Sequence, residues 1–274
     1  MSYETIDVEH RGRTACIRLA RPEVLNAIND VMIRELEEAV ATIEADPDVW
    51  TVLLTGTGRA LCSGADLNRA GVAERGNYTS GVDVLGESML GSMRQWDAPQ
   101  EATLPYLQMT KPIVCAVNGI CAGAGLDFVT TSDIVIASED ATFLDPHVSI
   151  GVASGREAVR LARVLPLNIT LRLVLMGKSE RLTAARAYEL GLVSEVVPGD
   201  QLLDRAWEIA EVINQNAPLA VRGSRLAVRK SLSLPIYEAE LVSENYRMKV
   251  AVTEDAQEGA RAFMEKRPPA WKGC

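Results

Sequence analysis

Apolar and polar positions repeat along this chain with two different periods, and the change from one to the other divides it. Short apolar runs come first. TACIRLAR (14–21), WTVLLTG (50–56), PIVCAVNG (112–119) and DIVIAS (133–138) are rich in β-branched residues and bounded by Gly, Pro or Ser. They predict buried strands of a mostly parallel sheet. Between the first two, NDVMIRELEEAVATIEAD places Ile33, Leu36, Val40 and Ile43 at the spacing of an amphipathic helix. Strands alternating with helices predict β-α-β units and an α/β fold. After about residue 155 the helical period takes over in REAVRLARVL, NITLRLVLMG, TAARAYELG and QLLDRAWEIAEVINQN, broken only by the strand LVSEVV. From 218 it continues to EGARAFMEKRPPAW. The predicted division is a core domain over 1–200 and a helical C-terminal region over 201–274, without a Gly/Ser-rich linker or an internal repeat.

The pattern is weakest over 68–110. Gly and polar residues dominate 71–86, and SMLGSMRQW then puts Met89, Met93 and Trp96 on one helical face. The expectation is a loop followed by an apolar helix, either an ordinary core helix or the border of an apolar ligand site.

Composition narrows the function classes. Apolar residues make up 47% of the 274 and charged residues 24%, ordinary for a chain with a sizeable core. A formal charge of −9 argues against a nucleic-acid surface, yet leaves room for a small anion held by local Lys and Arg. The five cysteines (Cys16, Cys62, Cys115, Cys121, Cys274) are odd in number, form no CxxC pair, and four lie in apolar runs. Buried reduced thiols are expected, with neither disulfides nor a metal centre. MSYETIDVEHRGR lacks a signal-peptide core, and no apolar run reaches the roughly 20 residues of a membrane helix. A soluble cytoplasmic protein without a membrane partner is the expectation.

Two small-residue turns carry the candidate chemistry. In NGICAGAGLD an apolar strand ends at Val117 and a helix is expected to open near Ala124. Helix openings leave N–H groups unpaired at the positive end of the helix dipole, and Gly123 and Gly125 let a ligand oxygen approach the backbone of Ala124. GRALCSGADL (58–67) repeats the arrangement around Ala65 after the strand TVLLTG. Two converging backbone N–H groups, from Ala65 and Ala124, would stabilise charge developing on a carbonyl oxygen, at about 3 kcal/mol per donor. The carbonyl so polarised acquires an acidic α-carbon. Asp127, one helical turn beyond Ala124, and His147, in TFLDPHVSIG, are the candidate acid and base. Against these roles stand a carboxylate favoured by the helix dipole and a structural histidine beside Pro146. The other histidine, His10, falls in a polar N-terminal hairpin. No Ser-His-Asp order, P-loop, metal cluster or well-placed GxGxxG occurs.

RPEVLNAIN, SGADL, KPIVCAVNGICAGAGLDFVTTSDIVIASEDATF and FMEKRPPAW, in that order and spacing, resemble the crotonase superfamily, the enoyl-CoA hydratase/isomerase family, over nearly the whole chain. The resemblance implies a spiral of β-β-α units, a C-terminal helical region that builds trimers or dimers of trimers, and an acyl-CoA thioester as ligand. Coenzyme A would then arrive as part of the substrate, with no permanently bound cofactor. Ala65 and Ala124 would supply the thioester oxyanion hole. LNAIN (Leu25, Ala27) and SGADL (Ser63, Asp66, Leu67), with Gly123, would cradle the CoA, and Lys266 and Arg267 would reach its phosphates. Family hydratases carry two glutamates where this chain has Asp127 and His147, and their glycine-rich segment after the second is VASGRE here, which brings Arg156 and Glu157 toward the site.

Four functions follow. The first is reversible hydration of a 2-enoyl-CoA, with Asp127 and His147 sharing the acid and base roles. Double-bond isomerisation needs only one well-placed carboxylate. Hydrolysis of a C–C bond or thioester would use Asp127 to orient His147 as base. The last is a non-catalytic CoA-binding homologue, less expected because Asp and His are both chemically competent.

Overall fold

The computed structural model describes residues 3–67 and 109–274, so Met89, Met93 and Trp96 lie outside the described residues. An N-terminal hairpin, β1 (Ile6–Arg11) and β2 (Thr14–Leu19), is the antiparallel edge of a six-stranded sheet. Its parallel remainder consists of β3 (Thr51–Gly56), β5 (Ile113–Val117), β7 (Ile134–Ser138) and β10 (Glu195–Val197), in the order β1-β2-β3-β5-β7-β10.

Three of these strands continue, after a tight turn, into three-residue strands of a second sheet: β4 (Ala60–Cys62), β6 (Ile120–Ala122) and β8 (Thr142–Leu144). β4, β6 and β8 pair in parallel, and β9 (Leu182–Thr183) closes the edge antiparallel to β8. In the repeats β5–β6 and β7–β8 the chain therefore runs strand, turn, strand, then on to a helix, which is the expected β-β-α unit. The short strands lie inside segments read from sequence as turns, because three residues carry too little periodicity to register.

Period-two alternation assigns the two faces of the large sheet. Cys16, Leu53, Val114, Ala116 and Ile136 face α6 (Leu202–Asn214), meeting Leu202, Ala206, Trp207 and Ala210. Ala15, Ile17, Val52, Leu54, Ile113 and Cys115 face the main core, which also takes in α1 (Asp30–Ala45), the second sheet and α2 (Gly125–Thr131). Asn29 caps α1, its side chain accepting from the Met32 N–H. The helix covering the sheet's second face thus comes from beyond residue 200, and Asn214 anchors its end. The Asn214 amide donates to Thr14 Oγ1 (2.8 Å) and accepts from Thr51 Oγ1 (2.7 Å), all three side chains being buried.

Helices α3 (Arg156–Leu161), α4 (Leu167–Met176) and α5 (Ala184–Glu189) surround the second sheet. After α6 the chain is helical, as α7 (Pro218–Ser231), α8 (Ile236–Ala251) and α9 (Glu254–Glu265). Cys16, Cys62, Cys115 and Cys121 are buried free thiols and Cys274 is exposed. Burial pushes Cys62 and Cys115 up to about 12 and Cys16 to about 11, so these groups are apolar core rather than nucleophiles. No described helix is long and apolar enough to cross a membrane.

Candidate active site

The two turns leave the C-terminal ends of β4 and β6, neighbouring parallel strands of the second sheet, so that sheet brings them together. Gly64 (φ +102°) and Gly123 (φ +51°) take left-handed conformations open to glycine. A side chain on Gly64 would also sit 3.5 Å from the Ala124 nitrogen, so the backbones touch. Ala65 forms an isolated parallel bridge with Ile28: the Ile28 N–H donates to Gly64 O (2.8 Å) and the Asp66 N–H to Ile28 O (2.9 Å). That pairing turns the N–H of Ala65 itself away from the bridge. Among the described residues, neither the Ala65 nor the Ala124 N–H has an acceptor. Ala124 caps the start of α2.

The segments expected to cradle CoA meet beside the first turn. The Ser63 N–H donates to Leu25 O (3.0 Å) and Ser63 Oγ to Val24 O (3.3 Å). Arg21, not singled out from sequence, donates through Nη1 to both Ala27 O (2.6 Å) and Asp66 Oδ2 (2.9 Å), locking the two segments. Leu25 and Asn26 both have positive φ, a strained turn held by the Asn26 amide, which donates to Thr57 O and Ala60 O. Leu67 remains 49% exposed at the rim.

Asp127 and His147 do not pair with each other. Asp127 is fully buried and both its oxygens are occupied: Arg156 donates through Nε (2.9 Å) and Nη2 (2.7 Å) to Oδ2, and Arg160 through Nη1 (2.8 Å) to Oδ1. His147 instead meets Asp145, Nδ1 to Oδ1 at 2.5 Å, while Ser154 Oγ donates to the other Asp145 oxygen. The hydrogen bond that His147 donates to Asp145 raises the proton affinity of the ring above its ordinary 6.5, against the opposing effect of burial; the charges of Asp145, Glu157 and Asp127 add to it. Burial disfavours the Asp145 carboxylate, but hydrogen bonds from His147 and Ser154 outweigh this and lower its pKa. With Asp145 ionised, Nδ1–H is the donor and Nε2 remains for other partners. The ring lies against the second turn, its Cε1 3.6 Å from where a Gly123 side chain would begin.

Sequence reading thus missed Asp145, Ser154 and Arg160. Two signals were available. Asp145 stands two residues before His147 in LDPH, and Arg160 follows Arg156 by four residues, hence on one helical face.

Among the described residues no hydrogen bond or ion pair joins Lys266 or Arg267 to the turns. Arg267 is held by Glu258 (Nη2 to Oε2, 2.9 Å) and Glu265 (2.6 Å). The residues that follow dock at the opposite end of the strands: Trp271 Nε1 donates to Gln215 O, and a side chain on Gly273 would lie against Pro218 and 4.0 Å from Trp50 Nε1, just before β3 begins.

Comparison with known proteins identifies the family of the chain. The family model described as enoyl-CoA hydratase/isomerase matches residues 9–274. Enoyl-CoA hydratase EchA19 of Mycobacterium tuberculosis is 35% identical over 263 residues, 96% of this chain and 94% of that protein. The mevalonyl-coenzyme A hydratase sidH of Aspergillus fumigatus is 34% identical over 259 residues, covering 93% and 90%. The crystal structure of an enoyl-CoA hydratase/isomerase from Mycobacterium paratuberculosis superposes with a TM-score of 0.86 at 55% identity, over 100% of both chains. This chain is a member of the enoyl-CoA hydratase/isomerase family, within the crotonase superfamily.

Proposed function

We propose that the protein catalyses reversible addition of water to a 2-enoyl-CoA thioester. The observation that carries this reading is the pair of N–H groups on Ala65 and Ala124, without acceptors among the described residues, on touching turns beside a histidine. Both would donate to the thioester oxygen and stabilise the enolate formed when water adds at the β-carbon. His147, fixed by Asp145, carries a proton to or from the reacting carbons. Its raised proton affinity suits the imidazolium as donor to the α-carbon. Asp127 acts through Arg156 and Arg160, as a positioning residue.

Coenzyme A enters with the substrate, along Leu25, Ala27, Ser63, Asp66, Leu67 and Gly123. A phosphate contact from Lys266 or Arg267 needs a neighbouring copy of the chain, which fits assembly as a trimer or a dimer of trimers. One feature favours a second reading: a histidine oriented by a carboxylate is also the base of hydrolytic dyads. The dyad is Asp145–His147 rather than Asp127–His147.

Incubation with a panel of enoyl- and cyclic acyl-CoAs in ¹⁸O-labelled water separates the two. Label gained with loss of the enoyl absorbance and CoA still attached is the expected result. Label in a cleaved or ring-opened product would establish the hydrolase and overturn the hydratase.

A further inference from the structure

Hydration moves two protons, one from water and one to the α-carbon, and the clamp on Asp127 leaves the first without an acceptor. Glu157 is a carboxyl group with no part in the network described above. It lies on α3 one residue beyond Arg156, and its stripe of the helix is the core-facing one, shared four residues on with the fully buried Leu161. Glu157 is 7% exposed, and among the described residues no side chain or backbone group donates to it. Buried carboxyl groups are nearly always hydrogen-bonded, because burial without a partner is expensive. The Glu157 oxygens are not among the fully buried unpaired atoms, so they keep contact with water, and an unpaired, water-accessible carboxyl group beside a histidine is a candidate for chemistry.

Its surroundings are specific. α3 packs on α2, which begins at the Ala124 turn. Glu157 is close enough to His147 for its charge to favour the imidazolium, together with Asp145 and Asp127. Arg156 and Arg160 both pair with Asp127, and His147 pairs with Asp145; counted together, the three carboxyl groups Asp127, Asp145 and Glu157 are balanced by the two guanidiniums and a doubly protonated His147.

We propose that Glu157 is the second proton-transferring residue: its carboxylate takes the proton of the attacking water while His147 delivers one to the α-carbon. This rests on the hydration reading. The water oxygen bonds to the β-carbon, and the double-bond electron pair moves through the α-carbon onto the thioester oxygen, facing Ala65 and Ala124. It returns to form the α-carbon–hydrogen bond with the His147 proton. Glu157 ends protonated and His147 neutral, and both reset by exchange with solvent.

The test uses full-length protein and straight-chain 2-enoyl-CoAs from four to sixteen carbons, with hexanoyl-CoA as a saturated probe that exchanges its α-proton with deuterated water but cannot be hydrated. E157Q is expected to lower kcat for hydration about 100-fold to 10,000-fold. Its KM and the α-proton exchange of hexanoyl-CoA should stay within about threefold, because His147 still serves the α-carbon. H147Q should lose both reactions. E157D keeps the carboxylate but retracts it by about 1.5 Å, so an intermediate kcat is expected even if the glutamine variant folds poorly. Hydration by E157Q within about threefold of wild type would overturn the proposal, as would equal loss of hydration and exchange or a wild-type kcat for E157D. Failure of the hydration reading would appear separately, as a wild-type protein that hydrates none of the series.

Discussion

A carboxylate buried between two guanidiniums supports folding first, whatever else it does. Asp127→Asn would leave Arg156 and Arg160 without their shared partner. Because both arginines are partly exposed, the expected loss is at the lower end for a broken buried pair, about 3 kcal/mol by denaturant unfolding. Full stability with abolished activity would instead return Asp127 to the role of catalytic base. The Asp145–His147 pair makes a pH-dependent prediction. A histidine with raised proton affinity contributes stability that is fully present below its unfolded value, near 6.5, and lost as pH rises through the higher folded value. A carboxylate with lowered pKa contributes stability present above 3.8 and lost as pH falls through its folded value. The stability difference between wild type and H147Q should therefore be largest between about pH 4 and 6.5 and shrink on either side. In catalysis, Asp145→Asn removes the chief cause of the raised value. The alkaline limb of the pH–rate profile, where His147 loses its proton, should move to lower pH. An unmoved limb would contradict His147 as the acid. Asp127 was legible as a candidate because it follows the Ala124 turn, and His147 because the chain has only two histidines; of their partners Arg156 was placed near the site, whereas Asp145, Ser154 and Arg160 were not. A burial-driven ion pair depends on which helix face returns to the site, and no local period encodes that.

At the scale of elements, legibility tracked length. The strands of the large sheet and helix α1 stand out because five or more residues express a period. The three-residue strands β4, β6 and β8 do not, although they make the second sheet and set the turns in place. The boundary expected after residue 200 follows the same logic: helical periodicity marks α6 as a helix, but not as the cover of a sheet whose strands lie far earlier. Asn214 is the hinge of that cover. Asn214→Ala would leave the buried hydroxyls of Thr14 and Thr51 each short of a partner, a destabilisation of about 2–4 kcal/mol by denaturant unfolding. A loss below about 0.5 kcal/mol would mean that water replaces the amide.

The whole molecule leaves large apolar side chains in solvent on its last helices, among them Ile236, Val252, Met264 and Phe263, the last 85% exposed. Exposed apolar side chains of this kind are what an interface between copies of the chain would cover. Light scattering is expected to give the mass of a trimer or of two trimers, and Phe263→Asp to lower it; a wild-type monomer would contradict this account. The acidic total and the basic tail residues reconcile on the same basis, since Arg267 serves Glu258 and Glu265 at the far end of its own strands. The central claim is that two backbone N–H groups polarise a thioester carbonyl, and ¹³C NMR of hexanoyl-CoA labelled at that carbonyl tests it without turnover. On saturation with protein the resonance should move downfield, as the carbonyl gains single-bond character between Ala65 and Ala124. A bound thioester whose carbonyl keeps its solution shift would contradict the oxyanion site.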